Sequence, residues 1–247
     1  MRVLFTAFGA HGHIRPMCSV AEGLAGSGHD VLFATSAACP PSLYVQAARL
    51  HHRHSIRPSP VTEALRTHEI EHPGAPTLDS ARHRSSVTGP HVLRAAVTAL
   101  LEFGLAVTVS TGDQQLREEL EGLDGRRVEA TPWVDLVHLL PDCRVAVCHG
   151  GAGTVLRALA AGVPLVLVPQ GARSQARMSA ACEARGLART VCASAARSAV
   201  LGAAVAEVTS DDRFMSAAAA VAPEIAGMPE PSAAVPVLES LVGDRRA

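Results

Sequence analysis

Lysine and asparagine are absent from this chain of 247 residues, and aromatic residues make up only 3% of it. Together with abundant Arg and Ala, this is the bias of a G+C-rich coding sequence and points to no function. A basic excess is missing too: 22 Lys+Arg face 23 Asp+Glu, for a formal charge of −1. Without one there is no electrostatic footprint for non-specific nucleic-acid binding. No apolar run reaches the roughly 18 residues that a bilayer-spanning helix needs. The run Val3–Phe8 is too short for a signal-peptide core and leads straight into Gly9, so the chain reads as soluble and cytoplasmic. The cysteines, Cys18, Cys39, Cys143, Cys148, Cys182 and Cys192, form no CxxC pair and fit no zinc ribbon or finger, so buried free thiols are expected. Gly 20 and Pro 16 are ordinary levels, which excludes a collagen-like or wholly disordered chain. Against these absences, 48% of residues are hydrophobic, ample for a packed core in one large domain or two small ones.

Hydrophobic periodicity orders the chain. Residues 2–8 are a short run of strand formers, suited to a strand buried on both faces. A loop over Gly9–His13 precedes a helix over 15–26, with Met17, Val20, Ala21, Leu24 and Ala25 at helical spacing and Gly26 and Gly28 ending it. A strand over 30–35 completes a βαβ unit, and a short helix over 42–50 follows. Residues 51–84 keep neither period; His, Arg and Pro dominate, and the stretch reads as an irregular linker never selected to fold. Order returns with a helix over 90–103, started by Pro90. A strand over 105–110, a helix over 113–121, a strand over 126–130 and a short helix over 136–140 follow. Next come a strand over 145–148, a helix over 153–161, a strand over 163–168, a helix over 174–185 and a weak strand over 188–191. Helices near 195–208, 211–225 and 232–241 close the chain. Alternating elements with apolar strands predict an α/β fold, a parallel sheet with helices on both faces. No internal repeat is visible.

The strongest chemical signal is His149-Gly150-Gly151-Ala152-Gly153-Thr154, which follows a strand and opens a helix. Glycines let the backbone approach an anion, and the helix start presents unpaired N–H groups with a partial positive charge. Spacing alone leaves a second reading open, a tight turn that needs small residues only for packing. Gly9-Ala10-His11-Gly12-His13 follows the first strand, at the edge where α/β folds bind ligands. A His there suits a general base taking a proton from a hydroxyl, or else a loop residue that hydrogen-bonds locally. His68-Glu69-Ile70-Glu71-His72 matches the HExxH pattern of zinc proteases. Pro73-Gly74 follows at once and no third ligand stands at a set distance, so it reads as a chance match in a His-rich stretch.

Taken together, these pieces resemble the family 1 glycosyltransferases, closest to the bacterial enzymes that glycosylate natural products. Trp133-Val134-Asp135-Leu136, the His149–Thr154 segment and Pro169-Gln170-Gly171-Ala172 resemble that family's donor signature. Gly12-His13-Ile14-Arg15-Pro16 and Gly28-His29-Asp30-Val31 resemble the first βαβ of its acceptor domain, and 228–238 resembles the final helix that crosses back. The resemblance implies a GT-B fold of Rossmann-like domains. It implies His13 as the base for direct, inverting displacement at the anomeric carbon, and Trp133 and Val134 as partners of the nucleotide base. His149, Gly150, Gly151, Ala152, Gly153 and Thr154 would hold the diphosphate, with Gln170 beside the donor. No metal and no cofactor are implied; a thymidine- or uridine-diphosphate sugar is the co-substrate, and a small aglycone the acceptor.

Departures from the family qualify this. Most of the acceptor domain is missing, including the Asp that orients the catalytic His, and Ser85–Gly89 stands as a remnant of the first donor-domain strand. Arg173-Ser174 replaces the usual acidic pair, and Asp135 replaces a Pro. The expected domains are a βαβ remnant over 1–50, a linker over 51–84 and a donor-binding domain over 85–247. A βαβ unit of this size cannot bury a core alone. It is expected to merge with the donor sheet or to be completed by a second chain, a copy of itself or a partner. The expected function is deoxysugar transfer to a natural-product hydroxyl; the alternative is an inactive relic that binds nucleotide or serves as a scaffold.

Overall fold

A computed structural model of the chain describes residues 1–6, 11–34 and 89–243, without side-chain detail for 6, 11–16, 32–34 and 243. The expected helix over 42–50, the linker over 51–84, Cys39, the HExxH match and Ser85–Thr88 lie outside these residues. The chain divides into two compact units, Met1–Arg84 with Pro229–Ala247, and Ser85–Met228.

In the first unit, β1 (Arg2–Thr6) pairs in parallel with β2 (Asp30–Ala34), joined through α1 (His11–Gly26). The helix begins one turn earlier than the sequence suggests, so the backbone of His13 is helical and does not lie in the expected loop. Pro16 removes one intrahelical donor without ending the helix. Ala21, Leu24 and Val31 are buried against Val235, with Val3, Phe5, Val20 and Leu238 around them. Val235 and Leu238 come from α9 (Ala234–Gly243), so the chain's own C-terminal helix completes this core. The close approach depends on Gly23: a Cβ there would stand 3.1 Å from Ser232 Cα and 3.2 Å from Val235 Cγ2. His29 adds a clasp 210 residues long in sequence, its Nε2 lying 2.6 Å from Glu239 Oε1.

The second unit alternates as expected: α2 (Pro90–Glu102), β3 (Val107–Ser110), α3 (Gln114–Glu121), β4 (Val128–Thr131) and α4 (Leu136–Leu139). β5 (Ala146–Cys148), α5 (Ala152–Ala160), β6 (Leu165–Leu167), α6 (Arg173–Ala184) and β7 (Ala188–Thr190) follow, then α7 (Ser198–Ser210) and α8 (Asp212–Ala226). Asp113 and Asp211 cap α3 and α8, accepting from Leu116 N and Arg213 N at 3.0 Å each. α4 stops short of Pro141, which sits within a 3₁₀ turn, Leu140–Asp142, that follows directly.

Among the described residues all strand pairs are parallel, and those of this unit run in the orders β3-β4 and β5-β6-β7. β6 is buried throughout, because its alternate side chains enter two cores. Leu165 and Leu167 join Val155 and Leu159 of α5 and Ala218 and Val221 of α8. Val166 joins Val92 and Ala96 of α2 and Leu201 and Val205 of α7. β3 is one-sided: Val107 and Val109 pack on Val97, Leu116 and Leu120, while Thr108 and Ser110 are exposed. No disulfide joins the described cysteines. Cys182 is buried as expected, whereas Cys192 is exposed. No described helix is long and apolar enough to cross a membrane.

Gly23→Leu tests how the first unit is closed. Overpacking costs about 1–3 kcal/mol, which exceeds the roughly 1 kcal/mol that a better helix former returns. Thermal unfolding should therefore show net destabilisation, with earlier proteolytic release of residues 234–243; a stabilised variant would show that α9 does not pack on α1.

Candidate functional site

β5 and β6 are neighbouring parallel strands, so the loops that leave their carboxyl ends emerge at one edge of the sheet. The first is His149-Gly150-Gly151. Gly150 has φ +83°, a left-handed conformation that favours glycine, and is buried. Gly151 is the N-cap of α5, and no side chain caps the helix. The amides of Ala152 and Gly153 therefore remain available to an anion, while that of Thr154 donates to the Gly151 carbonyl at 3.1 Å. The His149 ring lies over Gly151: a Cβ there would stand 2.5 Å from His149 Nε2. Only hydrogen fits under that ring. Burial pulls the His149 imidazole below its ordinary value of 6.5, so near pH 7 it is neutral and offers one N–H donor. Ala152 and Gly153 are exposed and Thr154 is half-buried in the first turn, where Arg157 Nη1 donates to the Gly153 carbonyl at 3.0 Å.

After β6, the Gln170 side chain turns back on its own strand, its Nε2 donating to the Val168 carbonyl at 2.9 Å. Its backbone N–H donates to Gln175 Oε1 at 2.8 Å. Gln175 is 7% exposed, and Ser179 one turn on is 2% exposed. Neither residue stands out in the sequence. No local signal marks them, because the burial of this helix face exists only in the packed fold.

Trp133 follows β4 and is 66% exposed, an unusual setting for the chain's single Trp. Thr131 Oγ1 donates to the Trp133 carbonyl at 2.8 Å and holds the turn. Val134 is half-buried, and Leu136 packs on the core that contains Val155 and Leu159, which brings this loop beside α5. Asp135 caps α4, accepting from Val137 N at 3.0 Å, so a local helix start accounts for its place in the motif. Arg173 and Ser174 are exposed in the first turn of α6. The side chain of His13 lies outside the described residues. Among those residues no group of three or more His, Cys, Asp or Glu could hold a metal ion.

Residues 92–241 match the family model "Erythromycin biosynthesis protein CIII-like, C-terminal domain". The chain belongs to this family. Its members are glycosyltransferases of the family 1, GT-B type found in Streptomyces natural-product metabolism. Aclacinomycin-T 2-deoxy-L-fucose transferase of Streptomyces galilaeus is 30% identical over 171 residues, 66% of this chain. The chain spans only 37% of that relative's length. Elloramycin glycosyltransferase ElmGT of Streptomyces olivaceus is 50% identical over 42 residues, 17% of this chain and 11% of its own. Among solved structures, spinosyn rhamnosyltransferase SpnG has a TM-score of 0.72 at 18% identity, covering 97% of this chain and 100% of its own. SpnG has also been solved complexed with thymidine diphosphate. The structural likeness establishes the glycosyltransferase fold, which the family match places on residues 92–241.

His149 makes the family loop sensitive to pH. A histidine with a depressed folded value takes up its proton more readily when unfolded. Its contribution is therefore complete above 6.5 and is lost as pH falls below that value toward the folded one. Between about pH 7.5 and 5.5 the thermal midpoint of wild type should drop further than that of His149→Gln. Equal drops would show that the ring is not desolvated.

Proposed function

We propose that this chain binds a thymidine-diphosphate deoxysugar on the loop that opens α5 and takes part in its inverting transfer to a hydroxyl of a small natural-product aglycone. The observation that carries the reading is the uncapped start of α5 beneath the His149 ring, with buried Gly150 in a left-handed turn. Diphosphate oxygens would accept from the amides of Gly151, Ala152 and Gly153, from the Thr154 hydroxyl and from the His149 N–H. A neutral imidazole beside backbone dipoles can stabilise the leaving diphosphate without a metal. Exposed Trp133 would stack on the nucleotide base, Val134 would meet it through its backbone, and Gln170 would face the sugar. SpnG and the Streptomyces glycosyltransferase SsfS6, both solved with thymidine diphosphate, support that nucleotide over the uridine form.

His13 is proposed as the base that deprotonates the acceptor. Residues 85–228 would then be the donor-binding part, and the βαβ remnant with α9 the acceptor-side part. A second reading, nucleotide binding without transfer, draws support from Arg173 and Ser174 where the family carries an acidic pair.

Thymidine diphosphate at about 100 times its dissociation constant should stabilise the folded chain by about 2.7 kcal/mol, read as a raised thermal midpoint. Gly151→Ala, whose φ of −68° suits any residue, should abolish that shift by displacing the His149 ring. A full shift in this variant would remove the loop from the site. Sugar transfer that disappears in His13→Ala while the nucleotide shift persists would support the enzyme reading. Nucleotide binding with no transfer by wild type would favour the relic.

A further inference from the structure

Arg157 belongs to the last turn of α5, yet its guanidinium reaches back along the helix, where Nη1 donates to the Gly153 carbonyl at 3.0 Å. Helix side chains lean toward the amino end, and an Arg is long enough to cover the turn before its own. Gly153 has no positive φ, so its backbone does not call for glycine, which costs stability inside a helix. What the missing side chain leaves is room, since a Cβ there would stand 3.3 Å from Arg157 Nη1. The guanidinium thus lies over a residue whose amide is one of the two left free at the helix start. Arg94, Arg127, Arg185, Arg189 and Arg213 each pair with a carboxylate, whereas no described carboxylate pairs with Arg157. A cation near the positive end of a helix is poorly placed unless an anion joins it. His149 is neutral near pH 7, so the full positive charge at this helix start comes from Arg157.

We propose that Arg157 is a further binding residue of the donor site, its guanidinium being the cation that meets a nucleotide diphosphate laid across the start of α5. One of its N–H donors is spent on Gly153, and the rest of the planar fork matches the geometry of phosphate oxygens. The helix start supplies two amides and a partial charge, and Arg157 adds the full charge that they lack. Sugar transfer raises the demand on it. As the bond from the anomeric carbon to the diphosphate oxygen breaks, its electron pair stays on that oxygen. The acceptor oxygen bonds to the carbon and gives its proton to the base proposed above, His13. The departing diphosphate gains one negative charge, and its contact with the guanidinium strengthens. Arg157 lies outside the His149–Thr154 stretch, so the sequence motif does not mark it. The inference rests on the reading of this loop as a diphosphate site.

The test titrates thymidine diphosphate into the full chain as wild type, Arg157→Gln and Arg157→Lys, at several salt concentrations between about 0.05 and 0.2 M. Arg157→Gln should bind about tenfold more weakly at low salt, the scale of one hydrogen bond to a charged group. Its affinity should also fall less steeply with salt than that of wild type, because one screened charge pair is gone. Arg157→Lys keeps the charge without the fork, so it should keep the wild-type salt slope and recover part of the affinity. Equal affinity for Arg157→Gln and wild type would overturn the proposal and leave the diphosphate reading standing. A weaker Arg157→Gln with the wild-type salt slope would also overturn it, since Arg157 would then only pin the helix. A wild type that binds no thymidine diphosphate would overturn the reading of the loop and this proposal with it.

Discussion

The contact on which the rest depends is that of the Gly150–Gly151 backbone with what lies on either side of it. Ser179 and Gln175 press on Gly150, and the His149 ring covers Gly151. Neither position has room for a Cβ without displacement. This crowding settles three things together: where α5 starts, which way the imidazole faces, and how dry its surroundings are. The depressed value of His149 follows from the last of these. A looser turn would leave the helix start equally uncapped, but with a solvated histidine free to adopt several rotamers.

The loop holds its position because the strand beside it cannot move. β6 is packed from both faces, with leucines toward one core and valines toward the other. A shift of one residue in register would exchange the two sets and disrupt both cores. β5 is tied to β6 through Ala146, Val147 and Cys148, so the first loop residue stands at a defined height on the sheet edge. Burial also pushes the Cys148 thiol up to about 11, so the residue that ends β5 is an inert packing group and not a nucleophile.

The first unit follows a different economy of contacts. Two strands and one helix expose too much apolar surface to be stable alone. Val235 and Leu238, three residues apart on α9, supply the missing layer from the far end of the chain. The departures that set this chain apart from its family have unequal structural weight. Asp135 is explained by its cap on α4. Arg173 and Ser174 sit exposed at the start of α6, where nothing in the fold requires them.

Much of this fold is legible in the sequence alone. The apolar runs at 163–168 and 145–148, the helical spacing over 90–103 and the glycine stretch after Cys148 each follow from local periodicity and backbone chemistry. Those are properties of neighbouring residues, and the fold class came with them. α1 starts earlier than its sequence predicts, since Gly12 and Pro16 argue locally against a helix that forms nonetheless. Gln175 and Ser179 were invisible because burial on one helix face matters only once that face is packed against a loop 25 and 29 residues earlier in the chain. The closure of the βαβ core by α9 was equally hidden, since it joins residues more than 200 apart, as His29 and Glu239 show. Sequence by itself determined the order of strands and helices and the chemistry of the glycine loop, because both arise within a few residues. Only the tertiary structure decided what crowds that loop and what completes the first core, because those contacts exist only once distant segments are packed together.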